Sequence, residues 1–274
     1  MFARLSNSTI RNTIVATTAL TGLTITTKSS QCSDDHIPAL DYKWSHHGAI
    51  ASYDYASIRR GWQVYKQVCS SCHSIDLIAF RNLVGVTHDE DAVKKIAEEY
   101  DIKDGPNDEG EMFERPGKLS DKIPGPYQNE EEARGANGGA MPPDLSLMVK
   151  SRHDGIDYIM ALMTGYVEAP HGKPMLPGLH YNPYFSGGAI AMGQPLTEDG
   201  QIEYEDGTQG TVSQYAKDVS CFLAWAAEPE HDERKKTGAM FLTAIVLAIG
   251  FTAYYKRMRW SPLKSRKITF VNKK

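Results

Sequence analysis

Cysteine is scarce in this sequence: Cys32, Cys69, Cys72 and Cys221 are the only four in 274 residues. Four are too few for a disulfide framework. Nothing in the sequence pairs Cys32 with Cys221, and two free thiols is the simpler reading. A zinc site usually wants a second C-x-x-C or an H-x-x-x-H, and neither is present. Positive charge is not in excess. The formal net charge of −4 argues against a nucleic-acid binder. Internal repeats and low-complexity tracts are absent too, which leaves one or two domains with a real core. Asp and Glu are missing from residues 1–33, where Arg4, Arg11 and Lys28 stand among many Thr and Ser residues. That is the composition of a mitochondrial targeting segment. Its mildly apolar stretch 14–25 is short and Thr-rich for a membrane span, and suits a sorting segment or the core of a secretory signal.

Long apolar runs are also few, and one dominates. Thr237 to Tyr255 is 19 residues without a charge. At about 1.5 Å per residue it reaches roughly 28 Å, enough to cross the hydrocarbon core. A buried core helix is the alternative, but the segment is apolar all round and basic residues bracket it. The tail 256–274 holds eight Lys or Arg and no acid, whereas residues 228–236 hold three bases and four acids. The excess of Lys and Arg puts the C-terminal tail on the positive-inside face. In a mitochondrion that face is the matrix, with the rest of the protein in the intermembrane space. The expected organisation is a targeting segment 1–33, a head 34–236, a membrane helix 237–255 and a basic tail 256–274.

The chemistry-bearing stretch is "QVCSSCHS", residues 67–74. The C-x-x-C-H order of Cys69, Cys72 and His73 is that of covalent c-type haem attachment. On a helix, positions i, i+3 and i+4 share a face. The two sulfurs then reach the two vinyl groups of one porphyrin, and the imidazole binds the iron. A thioredoxin-like pair would need a strand-to-helix context, but "YASIRRGWQVYKQV" reads as a helix, with Ile58, Trp62, Tyr65 and Cys69 at helical spacing. Further on, Thr87 and Glu90 form an expected capping box ahead of a stripe of Val93, Ile96, Ala97 and Tyr100. Residues 101–143 read as mostly loop, and 144–166 as two short helices joined near Asp154-Gly155. Residues 167–211 read as loop with a possible hairpin at Asp206-Gly207. Residues 211–228 read as an amphipathic helix with Val212, Tyr215, Val219, Phe222 and Ala226 on one side. The fold class expected is all-α: a c-type haem domain with long loops and one C-terminal transmembrane helix.

The iron needs a second ligand or an open site. An open site would suit a haem sensor or a peroxidase-like enzyme. Met141, Met175 and Met192 each lie in a Gly/Pro-containing loop that can lay a thioether over the haem. Spacing divides the choice about evenly between Met175 and Met192, with Met141 behind. His171 and His180 are further options.

Several blocks carry a resemblance: "GWQVYKQVCSSCHS", "ARGANGGAMPPDLS", "LMTGY", "YNPYFSGGAIAMGQPL", "DGTQGTVSQYAKDVSCFLAWAAEPEHDERKKTG" and "WSPLKSRK". In order and content the chain resembles cytochrome c1, the haem subunit of the mitochondrial quinol–cytochrome c reductase (cytochrome bc1 complex), over about residues 40 to 270. The resemblance implies one covalent haem c, with Met192 of the "AIAMGQP" block as the axial partner of His73. It implies a pocket loop at Asn137, Pro142, Pro143 and Leu145, a propionate-facing Arg152 and a pocket tyrosine at Tyr158. Without it, Arg152 reads as an ordinary surface charge. It also implies one-electron transfer from the Rieske iron–sulfur protein to soluble cytochrome c, beside cytochrome b in the inner membrane, with no substrate chemistry of the chain's own. Residues 89–132 carry fifteen acids and six Lys or Arg, a net −9. Such a run is often only a solvated face; with a basic acceptor it becomes an expected docking field.

Overall fold

The computed structural model describes residues 37–269. The expected targeting segment 1–33, with its Cys32, and the last five residues of the basic tail lie outside that range. The described chain is mostly helical. Helix α1 (Tyr55–Gln67) starts on Asp54, whose carboxylate accepts from the amides of Ala56 and Ser57, satisfying two of the orphan donors at a helix start. Helices α2 (Phe80–Leu83) and α3 (Glu90–Glu98) follow, then a two-stranded antiparallel sheet of β1 (Asp101–Asp104) and β2 (Phe113–Pro116). Next come α4 (Glu130–Ala136), α5 (Met148–Ser151) and α6 (Gly155–Thr164). A second sheet pairs β3 (His180–Tyr181) with β4 (Ala189–Ile190), and α7 (Val212–Ala227) and α8 (His231–Ser265) end the chain.

The core forms where α1 lies along α7. Trp62, Tyr65, Phe222 and Trp225 are each 2% exposed or less. Their rings pack at centroid distances of 5.6–5.8 Å. Full burial of such side chains contributes about 1.5–3 kcal/mol each. The two helices approach so closely at Gly61 that a Cβ there would overlap the Asp218 carbonyl and lie 2.6 Å from Phe222 Cβ. Across the same seam, Arg60 Nε donates to the fully buried Asp218 carboxylate at 2.8 Å, and Gln214 Nε2 donates to it as well. The buried charge is therefore paired and hydrogen-bonded, as a buried charge must be.

The α-helical expectation holds, including the two short helices of 144–166 and the helix over 211–228. Four details differ. The cap of α3 is Asp89, which accepts from Ala92 N; Thr87 instead donates its hydroxyl to the Leu83 carbonyl, so the Thr87–Glu90 box does not form. Residues 101–143 hold a small sheet and α4: Ile102 pairs with Arg115 and Asp104 with Phe113 in a four-pair register, and Arg115 bridges Asp104 and Asp121. The hairpin lies at β3–β4; Asp206-Gly207 is only a turn, closed by Gly207 N to Tyr204 O. Beyond the expected Val212–Ala226 stripe, α7 is buried on every side from Asp218 to Ala227, since α1, α5 and α6 all pack against it.

Helix α8 runs unbroken through the apolar segment and into the basic tail, 35 residues in all. Among the described residues it is the one helix long and apolar enough to cross a membrane. Phe241, Leu242, Val246, Leu247 and Phe251 are all more than 60% exposed, an apolar surface that water does not tolerate at this scale. The start of α8 is bonded to the head. Asp232 accepts from Tyr53 N and Tyr55 Oη, and Lys235 Nζ donates to the carbonyls of His46, Gly48 and Ala51 at 2.6–3.0 Å. His231 packs against Tyr53 and His46.

Candidate haem site

The C-x-x-C-H motif follows α1 but is not itself α-helical. After Val68 the chain tightens into a 3₁₀ turn, Cys69–Ser71. The two serines between the cysteines explain the tightening. Ser70 Oγ donates to Lys66 O at 2.7 Å and Ser71 Oγ to Val68 O at 2.8 Å, taking carbonyls that a continuing helix would use. Residues i and i+3 eclipse in such a turn, so Cys69 and Cys72 stand on one side. The amides of Cys72 and His73 both donate to the Cys69 carbonyl, at 3.1 and 2.9 Å. No disulfide joins the two cysteines, and both are partly buried. Burial pushes the Cys69 thiol up to about 12, with Cys72 beside it adding to the effect, so before any attachment the thiol is protonated.

His73 is fixed in one tautomer. Its Nδ1 lies 2.8 Å from the Pro143 carbonyl. A carbonyl oxygen can only accept, so Nδ1 carries the proton and the Nε2 lone pair is left for a metal. Burial lowers the His73 pKa, against opposition from the Pro143 bond and the Asp144 charge, which keeps the ring neutral at pH 7. Tyr65 Oη donates to the His73 carbonyl at 3.2 Å.

Of the expected pocket loop, Pro143 and Leu145 come to the motif. Leu145 N donates to the Ser74 carbonyl at 2.9 Å, and the Leu145 side chain enters the core. Pro142, half-buried, precedes them. Asn137 is occupied locally: its amide donates to Tyr127 Oη and to the Ala133 carbonyl, ending α4. The guanidinium of exposed Arg152 stands 5.8 Å over the Tyr158 ring.

Met192 sits just past β4, half-buried, between the buried side chains of Ile190 and Leu196. Its carbonyl accepts from Tyr166 Oη at 3.1 Å. The Tyr166 pKa is raised by burial, with Tyr158 nearby. Tyr166 thus holds the Met192 backbone, while Arg152 covers Tyr158. Met175 lies half-buried in the turn-rich segment before β3, and Met141 is exposed. His171 and His180 are exposed.

Sequence reading missed three contacts here: Tyr65 on His73, Tyr166 on Met192, and Asp144 on the strand of residues after the motif. The last had a local signal, since Asp-x-Ser at 144–146 suits a side-chain-to-backbone turn. The donor set fits a covalently attached haem. Two thiols stand on one side of a tight turn, and an imidazole beside them has its proton committed away from Nε2. Among the described residues no three His, Cys, Asp or Glu side chains gather as a metal cluster.

A sequence model of the Cytochrome C1 family matches residues 44–263. The mitochondrial heme protein "cytochrome c1-2" of Solanum tuberosum is 56% identical over 243 residues, 89% of this chain and 93% of its own length. The "cytochrome b-c1 complex catalytic subunit" of Candida albicans is 56% identical over 236 residues, 86% of this chain and 81% of its own. Cytochrome c1 of Saccharomyces cerevisiae is 53% identical over 236 residues, 86% of this chain and 75% of its own.

Proposed function

The chain belongs to the cytochrome c1 family, and from that premise we propose that it carries single electrons in the mitochondrial respiratory chain through one covalently bound haem c. The observation that carries the reading is the His73 imidazole, beside Cys69 and Cys72, with Nδ1 committed to Pro143 and Nε2 free. Bound there, the haem supplies a reversible one-electron couple. The chain's own residues do the rest. Cys69 and Cys72 would hold the porphyrin by thioethers, His73 and Met192 would ligate the iron, and Asn137, Pro142, Pro143, Leu145, Arg152 and Tyr158 would line the pocket. The iron ligands and the side chains packed beside the motif, Tyr65 and Leu145 among them, would tune the potential.

In this reading the electron comes from the Rieske iron–sulfur protein and leaves to soluble cytochrome c, with cytochrome b as the neighbour in the bc1 complex. Helix α8 anchors the chain in the mitochondrial inner membrane. The head 34–236 faces the intermembrane space and the tail 256–274 faces the matrix, a reading that the excess of Lys and Arg after the span supports. The domain limits are those of the sequence: residues 1–33 target the protein and 237–255 span.

The acidic run supports the choice of a basic acceptor. Glu130, Glu131 and Glu132 form the exposed first turn of α4. Stopped-flow oxidation by ferric cytochrome c at several ionic strengths tests this. Screening lengths shrink from about 30 Å at 0.01 M to roughly 10 Å at 0.1 M, so the association rate should fall steeply over that range. Changing all three glutamates to Gln should slow association, flatten the salt slope and leave the haem spectrum unchanged. Equal slopes for both proteins would move the docking site elsewhere.

A further inference from the structure

We propose that Asp144 is the positioning residue for the proximal imidazole of His73, a role that rests on the haem reading above. Its carboxylate joins two segments that are 68–70 residues apart in sequence. One oxygen accepts from Ser74 Oγ at 2.9 Å and from Asp76 N at 2.8 Å; the other accepts from Ser146 N at 2.9 Å. Two further bonds close the same seam: Leu145 N to Ser74 O at 2.9 Å, and Leu77 N to Ser146 Oγ at 3.1 Å. Pro143, whose carbonyl takes the His73 proton, is the residue immediately before Asp144.

The consequence is geometric first. His73 belongs to a short turn that no helix continues, and Pro143 belongs to a loop between α4 and α5. Neither segment has regular structure to hold its partner. The Asp144 carboxylate is what both hang from, on the His73 side through Ser74 and Asp76 and on the Pro143 side through its own backbone and Ser146. Fixing the Pro143 carbonyl on Nδ1 fixes the ring orientation and the direction of the Nε2 lone pair. It also raises the donor strength of the imidazole, since a held acceptor on Nδ1 makes the ring more basic toward a metal on Nε2. Asp144 makes no hydrogen bond to the ring; beside the reach of its charge, its positioning effect runs through Pro143.

The test uses the full-length holoprotein carrying Asp144→Asn, and separately Asp144→Glu in case the first does not accumulate. Asn keeps the size but loses the charge and the acceptor pair on one oxygen; Glu keeps the charge and displaces the oxygens by one methylene. Pyridine haemochrome content comes first. Haem that is covalent and stoichiometric in the wild type and in both variants isolates the positioning role, whereas an absence of covalent haem in the wild type would sink the haem reading itself and this proposal with it. Two readouts then decide. In a Met192→Ala background, the resonance Raman iron–imidazole stretch of the ferrous protein should shift to lower frequency with either Asp144 variant. With Met192 intact, Asp144→Glu, which keeps the charge, should still raise the haem midpoint potential. A purely structural side chain would lower thermal stability and move neither. Wild-type values for the stretch and for the potential, in whichever variant accumulates, overturn the proposal.

Discussion

Replacing Gly61 with Ala asks the helix seam to accept one methyl group. The added Cβ meets the Asp218 carbonyl and Phe222 Cβ, and both belong to α7. A backbone oxygen and a Cβ cannot rotate away, so α1 and α7 must separate. Overpacking of this kind costs about 1–3 kcal/mol, and contact with main chain puts this site at the upper end. Alanine recovers up to about 1 kcal/mol of helix propensity over glycine. The net expectation is a loss of about 2 kcal/mol, a fall of about 4–8 °C in Tm for a domain of this size. The separation also strains the Arg60–Asp218 bond and the Trp62–Phe222 contact. Circular dichroism melting of the holoprotein in detergent, wild type against Gly61→Ala, measures it. A variant that melts at or above the wild-type temperature would refute the claim that backbone contact at Gly61 sets the α1–α7 distance.

Other consequences can be checked alongside. Met192→Leu should lower the midpoint potential and abolish the methionine–iron band, because a thioether that stabilises ferrous iron is lost; Met175→Leu should do neither, and the reverse result would reassign the ligand. Ending the chain after Lys236 should release the head from membranes on carbonate extraction, whereas a truncated form that stays in the pellet would show a second anchoring surface. His46 is 6% exposed with an unpartnered Nδ1, and burial together with His47, His231 and Lys235 holds its pKa near 4 instead of 6.5. Between those values the unfolded chain binds the proton and the folded one does not, so stability should fall as pH drops from 6.5 toward 4. Denaturant midpoints at pH 7.5 and 5 should differ less for His46→Gln than for the wild type, and an equal difference would count against it.

The sequence was most legible where one physical rule acted alone. The apolar run, the stripe along α7 and the C-x-x-C-H motif each follow from local periodicity or spacing. It was less legible where residues far apart compete. Thr87 looked like a cap because Glu90 stands three residues on, but its hydroxyl donates to the Leu83 carbonyl and Asp89 caps the helix. The motif looked helical because α1 leads into it, yet Ser70 and Ser71 draw the backbone into a tighter turn. Asp144 was visible only as one acid among many, since its partners at 74 and 76 come from another part of the chain. Spacing also left Met175 and Met192 level; the Tyr166 bond that holds the Met192 backbone spans 26 residues and leaves no sequence period.

Covalent attachment through Cys69 and Cys72 is the central claim, and acid–acetone extraction followed by a pyridine haemochrome spectrum tests it most directly. Haem should stay with the wild-type polypeptide, with the spectrum of two saturated vinyl positions, and none should be retained after Cys69→Ser with Cys72→Ser. Haem that extracts freely from the wild type, or that stays bound to the double variant on a denaturing gel, would contradict it.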